Sequence, residues 1–176
     1  MLPDELILLA ERVIAAYKFS GMRIVTAESC TGGLIAGCLT AIDGSSAVLE
    51  RGYVTYSNLA KEQDLDVPAE LLETHGAVSA ETAEAMVKGA LAKGALAKGA
   101  LASSPADVAI AVTGIAGPGG GTRHKPVGLV YLGLACRGGG APVVEKNIFP
   151  GDRTAIRRAT VIRALELLLV AAGPKP

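Results

Sequence analysis

The amino-acid sequence predicts an α/β protein, a three-layer α/β/α sandwich around a mixed, mostly parallel sheet of about five strands. Two observations carry this prediction. Short apolar runs without polar alternation, which are typical of strands covered by helices on both faces, alternate along the chain with segments of helical periodicity. In addition, 176 residues are enough for one domain with a full core, so we expect 1–176 to form a single domain.

The predicted helices and strands follow from local signals. The first helix has Pro3 in its first turn and apolar residues at helical spacing as far as Tyr17. Further helices are predicted for 32–42, for 68–75, for a long segment after the N-cap Ser79 and for a last segment after the N-cap Asp152. Strands are predicted for the apolar runs 22–27, 49–56, 108–112, 127–134 and 143–149. The short linker 137–140 predicts a hairpin, and therefore one antiparallel pair near the end of the sheet.

One internal repeat interrupts this pattern. The sequence KGALA occurs at 88–92, 93–97 and 98–102, which we interpret as an extension of the long helix. A step of five residues turns a helix so that successive copies point ~140° apart, and the three leucines cannot share one face. Each glycine also weakens a helix interior by roughly 1 kcal/mol relative to alanine. A tolerated tandem duplication therefore explains the repeat better than an extended arm for a partner.

The composition excludes several classes of protein. Seventeen basic residues balance seventeen acidic ones, so no overall field favours nucleic acid or a membrane as partner. Three cysteines without a CxxC pair argue against a disulfide framework and for a reducing compartment. The acidic N-terminal segment and the lack of a long apolar run predict a soluble, cytoplasmic protein. We further expect it to assemble as a homo-oligomer.

The stretch TAESCTGG (26–33) stands where a predicted strand meets a predicted helix. Polar residues beside glycines at such a junction form a plain turn in many proteins, but ligands of α/β folds also bind beyond the carboxyl ends of strands. Ser29 or Cys30 could be a nucleophile there, with backbone donors that hold an oxyanion. From these residues alone, a turn and a functional site are equally compatible with the pattern.

Two further polar segments follow predicted strands. Lys61 comes after the second strand, in YSNLAK, and would ordinarily be a solvated charge. With only two histidines in the chain, however, a buried lysine is the available base for a serine. The glycine-rich segment 113–121 is neither a P-loop nor a dinucleotide fingerprint, although its N–H groups could face phosphate. Two isolated histidines give little support for a metal site.

These blocks together resemble the CinA C-terminal domain family, the nicotinamide-nucleotide amidohydrolases. The resemblance rests on six blocks in order: 26–33 (TAESCTGG), 52–61 (GYVTYSNLAK), 77–79 (AVS), 111–122 (AVTGIAGPGGGT), 125–131 (KPVGLVY) and 149–157 (FPGDRTAIR). It covers nearly the whole chain. It implies a three-layer α/β/α fold and deamidation of a small nucleotide, nicotinamide mononucleotide, to nicotinate mononucleotide and ammonia, without a metal or other cofactor.

The resemblance also implies roles for particular residues. The catalytic set that it implies is Ser29 as nucleophile, Lys61 as base, and Tyr56. The residues expected to bind substrate are Thr31, Gly32, Gly33, Thr113, Gly114, Gly117, Gly119 and Arg153. The glycine-rich loop and Arg153 would face the phosphate and ribose.

The sequence departs from the family pattern in two places. Longer members carry an N-terminal domain that resembles molybdopterin-binding domains, and we expect this chain to lack it. The segment between Ser79 and Thr113 is longer than usual and contains the KGALA copies, which leaves the site blocks intact.

An alternative function is a non-enzymatic module that binds a nucleotide or a protein and is associated with competence or DNA damage. Intact Ser29 and Lys61 favour the enzyme.

Overall fold

The structure, a computed structural model, describes residues 2–95 and 106–173. Its strands are β1 (Ile24–Glu28), β2 (Leu49–Val54), β3 (Val108–Gly114), β4 (Leu129–Cys136) and β5 (Val143–Ile148). They form one five-stranded sheet in the order β2-β1-β3-β4-β5. Every residue of β1 is buried, including the polar Thr26 and Glu28, as expected for a central strand that helices cover on both faces.

The strand directions confirm a mixed, mostly parallel sheet. Strand β1 pairs in parallel with both β2 and β3, whereas β4 is antiparallel to both β3 and β5. Only β4 therefore runs against the other strands. The hairpin between β4 and β5 was predicted, but the second antiparallel pairing, between β3 and β4, was not. It arises because the connection 115–128 contains no helix, and parallel strands need a long crossover connection.

Helices cover both faces of the sheet and complete the three predicted layers. They are α1 (Asp4–Ser20), α2 (Leu34–Thr40), α3 (Asn58–Leu65), α4 (Ala69–His75), α5 (Ala80–Ala95) and α6 (Arg153–Ala171). Helices α1, α2 and α6 pack together on one face, while α5 packs on the other face and contacts α3 and α4. The two layers enclose two clusters of buried, mostly aliphatic side chains.

The predicted N-caps are confirmed, and one helix was missed. Ser79 Oγ accepts a hydrogen bond from the N–H of Thr82 at the start of α5, and Asp152 Oδ1 accepts one from Ala155 at the start of α6. The prediction that β2 extends to Tyr56 is wrong, and no helix was predicted for the segment that contains Lys61. Strand β2 ends at Val54, and Lys61 belongs to α3, whose N-cap is Ser57.

The KGALA repeat lies only in part within the described residues. Helix α5 contains the first copy and ends at Ala95, inside the second copy; the remainder of the repeat lies outside the described residues. Gly89 of the first copy has a packing role, because a Cβ atom there would lie 1.9 Å from the carbonyl oxygen of Leu65. This glycine lets α5 approach the end of α3 closely.

The topology brings the polar loops to one edge of the sheet. Glu28, the last residue of β1, pairs with Val54 of β2 and Val112 of β3, so the three carboxyl ends lie side by side. The loop from β3 to β4 lies at the same edge, because Gly114 pairs with Val130. The segment between β5 and α6 also begins there, since Ile148 pairs with Leu129. Ligands of open α/β sheets bind at such an edge.

Candidate functional site

Ser29 follows β1 directly and begins a tight turn into α2. Its N–H donates to the carbonyl oxygen of Val112 at 3.1 Å, and its own carbonyl accepts from the N–H of Gly32 at 3.1 Å. Gly32 and Gly33 have φ values of 63° and 92°, a left-handed conformation that glycine adopts without strain. The two glycines of TAESCTGG therefore shape the turn that carries Ser29.

Lys61 reaches this turn from α3. Its Nζ lies 3.1 Å from Ser29 Oγ and 2.8 Å from the carbonyl oxygen of Thr55. The side chain is 1 % exposed, and none of the salt bridges among the described residues involves it. Burial disfavours the ammonium form and lowers the pKa of Lys61 below the ordinary value of lysine. In its neutral form, Lys61 can accept a proton from the hydroxyl of Ser29.

Cys30, the other nucleophile that the sequence offers, is buried as well. Burial raises the pKa of its thiol to about 11, so the thiolate is a minor form near neutral pH. Neither histidine lines the cavity into which Cys30 opens. The electrostatic environment therefore favours Ser29 over Cys30 as the nucleophile.

Ser29 and Lys61 line a small cavity of about 190 Å³. Ten residues form its walls: Ser29, Cys30, Tyr56, Lys61, Ala77, Val78, Thr113, Gly114, Ala116 and Arg153. The cavity thus collects side chains from the ends of three strands and from the first turn of α6. A second cavity of about 450 Å³ adjoins it and shares Ala116 and Arg153 as walls.

Arg153 connects two sides of the cavity. Its guanidinium donates to the carbonyl oxygen of Gly117 at 2.8 Å and to the hydroxyl of Tyr56 at 3.1 Å. Tyr56 is 61 % exposed, so this bridge lies at the mouth of the cavity rather than on its floor. Arg153 therefore lines both the cavity that contains Ser29 and the larger cavity beside it, and its side chain can contact a ligand in either one.

Thr113 and Gly114 form the wall at the end of β3. Thr113 is buried, and its hydroxyl donates to the carbonyl oxygen of Ala77 at 2.6 Å, which fixes the segment between α4 and α5 against the sheet. A Cβ atom on Gly114 would lie 2.8 Å from the carbonyl oxygen of Leu129. Thr113 thus positions a wall, and Gly114 permits the close approach of β4.

The structure brings some of the sequence-predicted site residues together and leaves others outside. Those that line the cavity with Ser29 are Lys61, Tyr56, Thr113, Gly114 and Arg153. Thr31, Gly32 and Gly33 shape the adjacent turn without lining the cavity, and Gly117 lines the larger neighbour. Gly119 lines neither of these two cavities and is exposed.

Sequence reasoning missed four contributions to the site. The carbonyl of Thr55 accepts from Lys61, and Ala77 and Val78 form a wall; a backbone acceptor and apolar walls have no side-chain signal. Glu28 is completely buried beside Ser29, and Arg157 donates to the carbonyl oxygen of Thr31 at 2.8 Å. All of these residues lie within the blocks on which the family resemblance rests, and this could have drawn attention to the two charged ones.

A larger groove lies elsewhere on the molecule. It has a volume of about 520 Å³ and is formed by the end of α3, the start of α4 and the outer face of α5. Its charged residues pair with one another or with nearby side chains, as Glu84 does with Lys88 and Asp66 with Lys93. Volume alone does not identify a reactive site, so we assign the functional site to the cavity that holds the buried serine and lysine.

Comparison with known proteins identifies the family to which the whole chain is related. A profile of the CinA C-terminal domain family matches residues 7–171. The chain belongs to this family. A CinA-like protein of Citrifermentans bemidjiense is 48% identical over 158 residues, which are 90% of this chain and 35% of that protein. A CinA-like protein of Parasynechococcus marenigrum is 48% identical over 160 residues, 91% of this chain and 36% of the relative. This CinA-family chain therefore spans about a third of the length of these curated relatives.

Solved structures of CinA-family proteins have the same fold. The competence/damage inducible protein CihA of Agrobacterium tumefaciens is similar with a TM-score of 0.88 and 48% identity, over 99% of both chains. A CinA superfamily protein of Klebsiella pneumoniae is similar with a TM-score of 0.84 and 35% identity, over 95% of this chain and 97% of that one. These structures confirm the predicted three-layer fold over nearly the full length of the CinA-family chain.

Two features are absent from the described part of this CinA-family chain. In the ranges 2–95 and 106–173, no three His, Cys, Asp or Glu side chains are grouped so that they could hold a metal ion. None of the helices in the same ranges has the length and apolar character needed to cross a membrane.

Proposed function

We propose that the protein hydrolyses the carboxamide of nicotinamide mononucleotide to nicotinate mononucleotide and ammonia, with Ser29 as nucleophile and Lys61 as base. One observation carries the proposal: a fully buried lysine, with a lowered pKa and no anionic partner among the described residues, lies 3.1 Å from a serine hydroxyl in a cavity. A nucleophile and a base at hydrogen-bond distance are the recurring arrangement of enzymes that form a covalent intermediate.

The hydrogen bonds of Lys61 orient its lone pair. A neutral amine has two N–H groups and one lone pair, and one N–H donates to the carbonyl oxygen of Thr55. The lone pair can then accept the proton of Ser29 while Oγ attacks the carboxamide carbon. The resulting ammonium returns this proton to the leaving nitrogen, ammonia departs, and an ester with Ser29 remains. Lys61 then takes a proton from a water molecule as its oxygen attacks the ester carbon. The ammonium returns this proton to Ser29 Oγ as the ester bond breaks and nicotinate mononucleotide leaves.

The turn after Ser29 supplies candidates for an oxyanion hole. The N–H groups of Thr31 and Gly33 donate no hydrogen bond to any described residue, whereas that of Gly32 already donates to Ser29. Free backbone donors beside the nucleophile stabilise the negative oxygen of a tetrahedral intermediate, and the loss of one such donor typically costs ~10²–10³-fold in kcat. Neither Thr31 nor Gly33 lines the cavity that contains Ser29, so both are kept as candidates for this role, and the role of closing the turn is assigned to Gly32.

The two adjoining cavities suggest how a nucleotide is accommodated. The cavity around Ser29, about 190 Å³, is smaller than the usual ~300–1,000 Å³ of a ligand site and suits the nicotinamide ring rather than a whole nucleotide. The neighbouring cavity of about 450 Å³ offers room for the ribose and phosphate. Arg153 belongs to both, so its guanidinium can contact the phosphate of a nucleotide whose ring lies against Ser29. This division favours the mononucleotide over free nicotinamide as substrate.

Ammonia release tests the proposal. We expect the wild type to release ammonia from nicotinamide mononucleotide and much less from nicotinamide. Ser29→Ala should abolish the release while the protein stays folded, whereas Cys30→Ala, the matched control one residue away, should retain most of it. The thiol of Cys30 is protonated near neutral pH, so it contributes no nucleophile. An inactive Cys30→Ala beside an active Ser29→Ala would reverse the assignment, and binding of the nucleotide without ammonia release would favour the non-enzymatic module.

A further inference from the structure

Glu28 is a buried carboxylate that the proposed reaction does not use. It is the last residue of β1, with no exposed surface. Its Oε2 accepts the N–H of Ile35 at 3.0 Å, and its Oε1 accepts the N–H of Ala36 at 2.8 Å. The hydroxyl of Thr26 donates to Oε1 at 3.4 Å. No salt bridge within the described ranges involves Glu28, so backbone donors and one hydroxyl compensate its charge.

These two backbone bonds close the turn that carries Ser29. Glu28 precedes the turn 29–33, and Ile35 and Ala36 lie in the first turn of α2, directly after it. The N-cap of α2 is Gly33, which has no side chain to satisfy the helix donors. A helix of seven residues does not hold its shape by itself. Glu28 thus replaces the missing cap and joins both ends of the turn through one side chain.

The same turn is held from its other side. Arg157 of α6 donates to the carbonyl oxygen of Thr31 at 2.8 Å, near the middle of the turn. Glu28 fixes the two ends of the turn and Arg157 fixes its centre. Burial of a carboxylate is costly unless it gains strong hydrogen bonds. A turn with only a structural role could be closed by an uncharged side chain, without this cost.

We propose that Glu28 is a positioning residue for the nucleophile: through Ile35 and Ala36 it holds the turn 29–33 so that Ser29 Oγ stays within reach of Lys61 Nζ. The inference rests on the proposed function, in which Ser29 attacks the substrate. Acyl transfer requires the attacking oxygen to be held to within about 0.5 Å of its productive position. Displacement of a reacting group by about 1 Å lowers a rate by ~10²-fold.

The test compares Glu28→Gln and Glu28→Ala with the wild type in two assays. In ammonia release, we expect kcat to fall by ~10–100-fold while KM changes by less than ~3-fold, because Glu28 lines no part of the cavity. In the second assay, a fluorophosphonate forms a bond from phosphorus to Ser29 Oγ, fluoride leaves, and Lys61 takes the proton. The rate constant of this labelling should fall in parallel with kcat. Amide hydrogen exchange at Ile35 and Ala36 should become faster in Glu28→Ala.

Tyr17→Phe is the matched control for lost stability. Its hydroxyl donates a buried hydrogen bond to the carbonyl oxygen of Leu168, between α1 and α6, and Tyr17 lines neither cavity of the site. This variant should be less stable while it keeps kcat and the labelling rate. If Glu28→Ala fails to fold, the isosteric Glu28→Gln decides.

The outcomes separate this inference from the proposed function. Glu28 variants with unchanged kcat and labelling would overturn the positioning role alone. A wild type whose Ser29 is labelled but which releases no ammonia would overturn the proposed substrate, and the labelling rates of the variants would still decide on Glu28. A wild type with neither activity would overturn both proposals.

Discussion

Lys61 is among the largest side chains that the core encloses completely. Lysine is almost never fully buried unless an opposite charge pairs with it, yet the two groups that Lys61 contacts are a hydroxyl and a backbone carbonyl. A carboxylate partner would stabilise the ammonium and raise the pKa, which would remove the lone pair that a base needs. The neutral surroundings of Lys61 are therefore a condition of its proposed role.

Substitution of Lys61 tests its role as the base. Lys61→Arg should lose activity by more than ~100-fold although arginine is also a basic residue, because a guanidinium stays protonated and cannot accept the serine proton. In the wild type, burial lowers the pKa of Lys61, so kcat/KM should rise with pH through an apparent pKa below that of free lysine.

Steady-state ammonia release across a pH series is the measurement, and Lys88→Arg is its control. Lys88 is an exposed residue of α5 that pairs with Glu84, so this substitution should change neither the rate nor the pH profile. Near-normal turnover of Lys61→Arg would show that Lys61 is not the base and supplies only a positive charge near the substrate.

At the scale of the elements, the sequence predicted what hydrophobic periodicity and capping determine. The apolar run 108–112 of β3 and the capped helices α5 and α6 are of this kind. Helix α3 was missed because only two of its eight residues, Lys61 and Leu65, are buried, which leaves too weak an apolar stripe to detect. The pairing of β3 with β4 was missed because a glycine-rich connection does not reveal the direction of the next strand.

The close contact between α3 and α5 at Gly89 allows a prediction about stability. Gly89→Ala would place a Cβ 1.9 Å from the carbonyl oxygen of Leu65, so α3 and α5 must separate. We expect a loss of ~1–3 kcal/mol in the free energy of unfolding, as for other overpacked sites. Activity should also fall, because α3 carries Lys61.

Gly37→Ala is the matched control, and urea unfolding with ammonia release is the measurement. Gly37 lies inside α2, and a Cβ atom there would meet no other atom within 4 Å. This variant should gain ~0.5–1 kcal/mol from helix propensity and keep its activity. A Gly89→Ala protein as stable as the Gly37→Ala protein would show that the two helices tolerate separation.

At the scale of the whole molecule, the site is a product of topology. Ser29, Lys61, Thr113 and Arg153 are far apart in sequence, and they meet because the ends of three strands and the start of α6 share one edge of the sheet. The polar blocks could be recognised in the sequence by their position after strands and by their family resemblance. The hydrogen bonds of Glu28 and Arg157 could not, because they depend on distances that only the assembled layers define.

The burial of Lys61 also affects the stability of the whole fold. Its pKa is lower in the folded state than the value of about 10.4 expected in the unfolded chain, so between these two values the unfolded chain binds more protons. The free energy of unfolding must therefore rise with pH across this window, and the contribution of Lys61 is least favourable below the folded-state pKa, where the buried amine is charged.

Lys61→Met tests this linkage, because methionine fills a similar volume without a titratable group. We expect the wild type to gain stability relative to Lys61→Met as pH increases from the lowered folded-state pKa of Lys61 towards the unfolded-chain value of about 10.4, as measured by urea unfolding at several pH values. The control is Lys146→Met, on the exposed side of β5, for which the difference from the wild type should not depend on pH because that side chain is in water in both states. A difference between wild type and Lys61→Met that stays constant with pH would mean that Lys61 remains protonated in the folded protein, and an ammonium cannot take the proton of Ser29.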